Sequence, residues 1–309
     1  MFLPPFFLTK MEKLLPKEEV EELKNAINSP LRKSIRVNTL RGNLKEVKDS
    51  LITQGFTLAN MPWYKYGFFI SNDKQMRIGN TLEHYLGKIY VQEASSMLPV
   101  IALDPKANDF VLDLAAAPGS KTTQISMHMN NNGLLVANEP QIQRISALQE
   151  NIDRSGSVIC VITRNDGRKF LQFADMFDKV LLDAPCSGEG TFQKDIKARY
   201  IWSQNKVIQN SRLQKQLIES AIIACKPGGT IIYSTCTLSP EEDEEIINYT
   251  LEKFENITLK KIEFSGLNTS PGILEYNHKQ YNDEIKKVIR IWPHKAKIEG
   301  FFIAKIIKK

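Results

Sequence analysis

Two of the four cysteines stand where a nucleophile would be useful. Cys186 follows LLDAP and Cys236 follows IIYST, each just past a short apolar run and beside a Pro- or Gly-containing turn. A thiolate at the mouth of a strand can attack a bound ligand. Free cysteine is more often a small buried hydrophobe, and Cys160 and Cys225 read that way. Position alone does not say which of Cys186 and Cys236 attacks. The cysteines are far apart and form no CxxC pair, and His84, His128, His278 and His294 are scattered, so neither a disulfide framework nor a metal site is expected.

A second set of polar residues ends the neighbouring apolar runs. DLAAAPGSKT (113–122) follows one of them. Its small residues, with Pro118 and Gly119, let backbone approach a ligand at a helix N-terminus. Ser120 separates Gly119 from Lys121, which breaks the phosphate-loop spacing, and GxGxxG is missing. Glu139 lies 20 positions after Gly119 at the end of the next run and suits a ribose with free hydroxyls. Asp166, after the third run, is placed to meet an adenine edge. Singly, Glu139 and Asp166 could be helix caps. As an ordered set they fit a nucleoside cofactor without phosphates, such as S-adenosylmethionine.

The elements that would position these residues are those of an α/β chain. FVLDLA (110–115), LLVANE (134–139), VICVIT (158–163), KVLLDA (179–184), TIIYST (230–235) and GFFIAKI (300–306) read as buried strands. Helical stretches lie between them, the longest over 204–225, and Pro227-Gly228-Gly229 reads as a turn. The pattern predicts a doubly wound parallel sheet covered on both faces, with ligands at the carboxyl ends of the strands. Ahead of it, residues 17–28 and 43–54 read as helices and SIRVNTL (34–40) as a strand. The expected organisation is a small α/β lobe over 1–85 and a Rossmann-like unit over 86–309.

With 309 residues, 42% of them hydrophobic, the chain can bury a sizeable core. The net charge of +6 is compatible with a polyanionic partner without identifying one. MFLPPFFLTKMEKLLP lacks a basic leader and is broken by Pro4 and Pro5, and no apolar run approaches the ~20 residues of a membrane span. A cytoplasmic monomer is the default expectation.

RKSIRVNTL (32–40), YVQEASSMLP (90–99), LDLAAAPGSKTTQ (112–124), DKVLLDAPCSGEGTF (178–192), KPGGTIIYSTCTLSPEEDEE (226–245) and RIWPHKAKIEGFFIAKI (290–306) together resemble the RsmB/RsmF family of RNA cytosine-C5 methyltransferases. The paired DAPCSG and STCTLSPEE motifs carry most of the likeness. IRVNTL and YVQEASSM look closest to the RsmF branch. The resemblance implies a Rossmann-like S-adenosylmethionine-dependent methyltransferase with an N-terminal RNA-recognition-like lobe. Ala115, Ala116, Ala117, Pro118, Gly119, Ser120, Lys121, Glu139, Asp166 and Asp183 would line the cofactor site, with Arg144 beside them. Cys236 would be the nucleophile, Cys186 would help release product, and Asp183 would stabilise the proton gained on the N3 side of the ring. Arg36 and Asn38 would contact RNA. The implied substrate is small-subunit (16S) rRNA, with tRNA as the alternative.

Two other readings compete. Pro185-Cys186 matches the Pro-Cys nucleophile of DNA cytosine methyltransferases, but the second Thr-Cys motif and the IRVNTL lobe speak against it. A non-catalytic RNA-binding assembly factor would have no use for both cysteines and an intact cofactor loop.

Overall fold

The computed structural model describes residues 2–72 and 76–309, and among these the chain forms two sheets of unequal size and one short hairpin. The small sheet contains β1 (Ser34–Val37), β2 (Phe56–Met61), β3 (Tyr64–Asn72) and β4 (Ile89–Val91), antiparallel in the order β2–β3–β1–β4. The amphipathic helix Leu44–Thr53 lays Val47 and Leu51 on Ile35, Val37 and Phe68 of this sheet. Asn43 caps that helix by accepting the Lys45 N–H at 2.8 Å. Strand β4 lies past residue 85, so the small sheet is completed from beyond the expected boundary. Helices Pro5–Leu14 and Lys17–Asn28 pack instead with Phe192, Trp202 and Trp292 of the larger unit.

The large sheet places β5 (Phe110–Asp113), β6 (Leu134–Asn138), β7 (Cys160–Thr163), β8 (Phe177–Asp183) and β9 (Cys225–Thr235) in parallel, ordered β9–β8–β5–β6–β7. Four later strands extend it antiparallel beyond β9. They are β10 (Ile257–Lys260), β11 (Ser270–Pro271), β14 (Ile289–Ile291) and β15 (Phe301–Lys308). A separate hairpin joins β12 (Glu275–Tyr276) to β13 (Lys279–Gln280). The expected parallel sheet is therefore the half that carries the cleft, and GFFIAKI enters the sheet antiparallel to β9. Helices Gln204–Ala224 and Glu244–Lys253 cover one face through Ile218, Ile222, Ile246 and Ile247. Ala94–Leu103 and Ser120–His128 cover the other through Met97, Leu98, Ile125 and Met127. Burial on both faces explains why the strands read as unbroken apolar runs.

The Pro227-Gly228-Gly229 stretch lies within a strand rather than before one. Phe177 pairs with Cys225 and Lys179 with Thr230, so the residues between loop out as a bulge. Gly229 has no room for a side chain, since a Cβ there would stand 2.5 Å from Cys225 Sγ.

Arg36 and Asn38 require a correction. β1 is an inner strand, and its alternate residues point away from the small core toward the large unit. Arg36 is fully buried and donates to Thr123 Oγ1 at 2.8 Å. Burial lowers its pKa to about 10. Asn38 is also buried, and its amide donates to Gly87 O and Ser155 O, each at 2.8 Å. Both side chains knit the small sheet to helices Ser120–His128 and Ile142–Ser155, so neither is available to RNA in this structure. Asn38→Ala should lower the unfolding free energy by about 1–3 kcal/mol, because it strands buried carbonyls. Urea denaturation checks the loss. RNA affinity, measured where the variant is folded, should be unchanged.

Candidate active site

The cleft opens where the chain order reverses, between β5 and β8, at the carboxyl ends of the parallel strands. Its volume is about 310 Å³. Every parallel strand sends a residue to it. Leu114, Ala115 and Ala117 follow β5, Glu139 follows β6, Asp166 follows β7, Asp183 to Cys186 end β8, and Cys236 follows β9. Arg144 lines the same wall. A smaller cavity of about 180 Å³ adjoins it and is lined by Ser96, Asp113, Ala116, Pro118, Ser120 and Lys121, with Ala115, Ala117 and Asp183 shared between the two. Of the residues expected around the cofactor, Gly119 alone lines neither. It takes a left-handed φ of 104° at the start of helix Ser120–His128, turned toward Leu148.

Cys186 and Cys236 meet with Sγ atoms 3.4 Å apart. The contact with Cys236, then burial, then the nearby Glu242 carboxylate hold the Cys186 thiol well above the usual thiol range. Cys225 is fully buried, Cys160 is half-buried, and burial pushes both thiols up to about 12. These two pack as small apolar groups.

Asp183 is fixed from two sides. Lys121 Nζ donates to one oxygen and Ser234 Oγ to the other, each at 2.7 Å, and Lys121 also donates to Ser96 Oγ at 2.9 Å. Glu139 is 1% exposed, and its Oε1 accepts the Gln141 N–H at 2.9 Å. Its buried Oε2 forms an ion pair with Arg144 at 3.2 Å without a well-directed hydrogen bond, and the residue lines the cleft. Arg144 also donates to Ala117 O. Asp166 lines the cleft and at the same time caps the turn Gly167–Gln172, with both oxygens bonded by Arg168. Pro140, Gln141, Gly167, Leu213 and Leu217 complete the walls. Sequence reading missed them, because apolar and amide side chains carry no chemical signature.

Asp113 opens the 113–122 motif, but the sequence assigned it no role. It is 1% exposed, with one oxygen bonded by Thr122 Oγ1 at 2.6 Å and the other without a partner beside the smaller cavity. Burial pushes its carboxyl up to about 7, the Thr122 bond opposes that rise, and the charge of Asp183 adds to it. Between the ordinary aspartate value and 7, the folded chain keeps a proton that the unfolded chain has lost. Stability contributed here therefore falls as pH rises through that window. In Asp113→Asn the fall is removed. The variant's unfolding free energy relative to the parent should rise between pH 4 and pH 8 by on the order of 2–4 kcal/mol. Urea titrations at the two pH values measure it, and a constant difference would mean that Asp113 ionises normally.

Comparison with known proteins places this geometry. Residues 100–307 match the family model described as 16S rRNA methyltransferase RsmB/F, and residues 3–94 match the N-terminal domain of 16S rRNA methyltransferase RsmF. A tRNA (cytosine(49)-C(5))-methyltransferase of Pyrococcus abyssi is 44% identical over 94% of this chain and 93% of its own length. Ribosomal RNA small subunit methyltransferase F of Shewanella oneidensis is 44% identical over 99% of this chain, which spans 64% of that relative. The crystal structure of a methyltransferase homolog from Pyrococcus horikoshii superposes with a TM-score of 0.84 at 33% identity, covering 99% of this chain and all of that one. The chain therefore belongs to the RsmB/RsmF family of S-adenosylmethionine-dependent RNA cytosine-C5 methyltransferases.

Proposed function

We propose that the cleft methylates C5 of a cytosine in structured RNA, with Cys236 as nucleophile, Cys186 as the group that assists release, and Asp183 at the ring nitrogen. The observation that carries this reading is the pair of thiols in contact at the mouth of a cleft that every parallel strand lines.

The residues present fit S-adenosylmethionine. The buried Glu139 oxygen without a well-directed hydrogen bond suits a ribose hydroxyl, the alanines of 115–117 leave room for the ligand, and Asp113 offers a second unbonded oxygen next to them. The cofactor supplies an electrophilic methyl group on a sulfonium sulfur. Everything else falls to the chain. C5 of cytosine is a weak nucleophile until the Cys236 thiolate adds to C6 and pushes the electron pair toward C5 and N3. Asp183, held by Lys121 and Ser234, stabilises the proton gained at N3. With C5 substituted, its proton passes to water, the C5–H electron pair re-forms the C5=C6 bond, the C6–S bond breaks to return the Cys236 thiolate, and N3 gives up the proton it gained. Cys186 stands 3.4 Å away to assist that step. Positioned proton transfer of this kind is worth about 10²–10⁴-fold. A ring attacked from its face must be single-stranded or flipped out.

Small-subunit rRNA is the first reading of the substrate, supported by the matches to both RsmF-type regions. Transfer RNA is the second, supported by the Pyrococcus abyssi relative that aligns over nearly its whole length. The small sheet would be the RNA-recognition lobe. The short helix Leu82–Tyr85 that leads into β4 exposes Leu82 and Tyr85, and these, rather than Arg36 or Asn38, offer surface to bases.

Two experiments test these assignments. Glu139→Ala should weaken S-adenosylmethionine binding by about 1.5–3 kcal/mol, as expected for a hydrogen bond to a charged group. Calorimetry on the folded variant reads it, and unchanged affinity would leave Glu139 as a helix-start residue only. The second is a denaturing gel after incubation with cofactor and either 16S rRNA or tRNA transcripts. Cys186→Ala should accumulate a protein–RNA adduct on the true substrate. Cys236→Ala should form none and be inactive. The reverse pattern would make Cys186 the nucleophile, and no adduct in either variant would reduce both thiols to packing.

A further inference from the structure

Behind the two thiols, a pair of carboxylates crosses between the loops that carry them. Glu242, on the Cys236 side, reaches the Cys186 loop. It accepts the Ser187 N–H at 3.0 Å, the Ser187 hydroxyl, and Gln214 Nε2 at 3.1 Å. Gln214 also donates to Pro185 O at 2.8 Å. Glu189, on the Cys186 side, reaches the other way. It accepts the Leu238 N–H at 2.9 Å, Trp202 Nε1 at 2.8 Å and the Ser239 hydroxyl. The Thr237 hydroxyl contacts both carboxylates and stands 2.9 Å from Ser187 Oγ. Glu189, Glu242 and Thr237 are fully buried. The backbone closes the arrangement, since Gly190 N–H donates to Cys236 O at 2.9 Å and a Cβ on Gly190 would stand 2.0 Å from Gly300 O.

The neighbouring acids have cations. Arg290 pairs with Asp243 and Glu244, and Lys10 with Glu241. Among the described residues, Glu189 and Glu242 have no ion-pair partner and are held by neutral donors. A purely mechanical clasp could be built from amides, without the penalty of burying two like charges. Charge here needs another use, and the thiols lie next to it.

We propose that Glu189 and Glu242 are positioning residues for the thiol pair: their crossed bonds set the approach of Cys186 to Cys236, and the charge of Glu242 beside Cys186 assigns the ionised thiol to Cys236. The proposal rests on the reading of Cys236 as nucleophile. A carboxylate disfavours a second negative charge close to it, so the proton of the pair stays on Cys186. Cys186 can then donate its S–H to the Cys236 thiolate at 3.4 Å. The other titratable groups around the pair are Asp183 with Lys121, Tyr233, whose hydroxyl donates to Glu242 O at 2.6 Å, and Asp243 with Arg290. Burial and the charge of Glu189 raise Glu242 to about 7, so its own charge appears only as pH rises through that value.

The test is alkylation by iodoacetamide without RNA or cofactor, limited to one hit per chain, with the Cys186 and Cys236 peptides quantified by mass spectrometry from pH 6 to pH 9. In the parent chain the Cys236-to-Cys186 ratio should exceed one and rise about tenfold across pH 7, the effect of one pKa unit. Glu242→Gln should lose that rise, while Glu189→Gln, which keeps the Glu242 charge, should retain the preference for Cys236. A ratio that is flat with pH in the parent chain and unchanged in Glu242→Gln overturns the proposal, whatever either variant does to stability. The parent profile needs no variant, so a Glu242→Gln chain that fails to fold does not remove the test. Preferential alkylation of Cys186 in the parent overturns the nucleophile assignment itself, which the adduct gel tests separately.

Discussion

Parallel pairing of β8 with β9, with Asp183 opposite Ser234, is the constraint on which the rest of the site depends. Each strand ends soon after that pair, and the two loops that follow bring Cys186 and Cys236 into contact. The same register puts Ser234 Oγ on Asp183. Side chains alternate along a strand, so a slip of one residue would turn Ser234 away from Asp183 and separate the thiols. The bulge at 226–229 lies near the start of β9, where an extra turn can be absorbed without disturbing the register at the end that meets the cleft.

Packing on both faces protects that register. The helices on either side bury Leu181, Leu182, Ile231 and Ile232 completely, so the two central strands have no freedom to shift. The small sheet adds a third support. Arg36 bonds to Thr123 within the helix that begins at the 115–119 loop, and Asn38 bonds to the end of helix Ile142–Ser155, which also carries Arg144. Gly87 lets the two units come this close, because a Cβ there would lie 1.8 Å from Arg154 O. Residues that looked available to RNA are therefore part of the scaffold that aims the cleft.

The polar interior around the thiols is costly, and its arrangement follows the chemistry. Asp243 and Glu244 are paired with Arg290 and Glu241 with Lys10, whereas Glu242 and Glu189, which cross between the cysteine loops, are held by neutral donors. Asp183 takes the opposite solution, sharing Lys121 in the wall of the cleft. The two carboxylate environments thus differ, one sharing a cation and one held by neutral donors.

Much of this was legible in the sequence. Apolar runs ending in Asp183, Glu139 and Asp166 marked the carboxyl ends of parallel strands, because a strand buried on both faces has no structural use for an acid at its tip. The cysteines Cys186 and Cys236 followed the same logic, and the small residues of 115–119 marked a close backbone approach. Other features were invisible in one dimension. Short edge strands such as Ser270–Pro271 have no period long enough to detect. An arginine in an alternating strand reads the same whether its face meets solvent or a helix, and only docking of the two sheets buried Arg36. The crossing of Glu189 and Glu242 joins residues about fifty positions apart, and local pattern carries no information on pairing at that distance. Residue type and spacing determined which groups could react. Tertiary packing decided which of them met, and which thiol lies next to a buried charge.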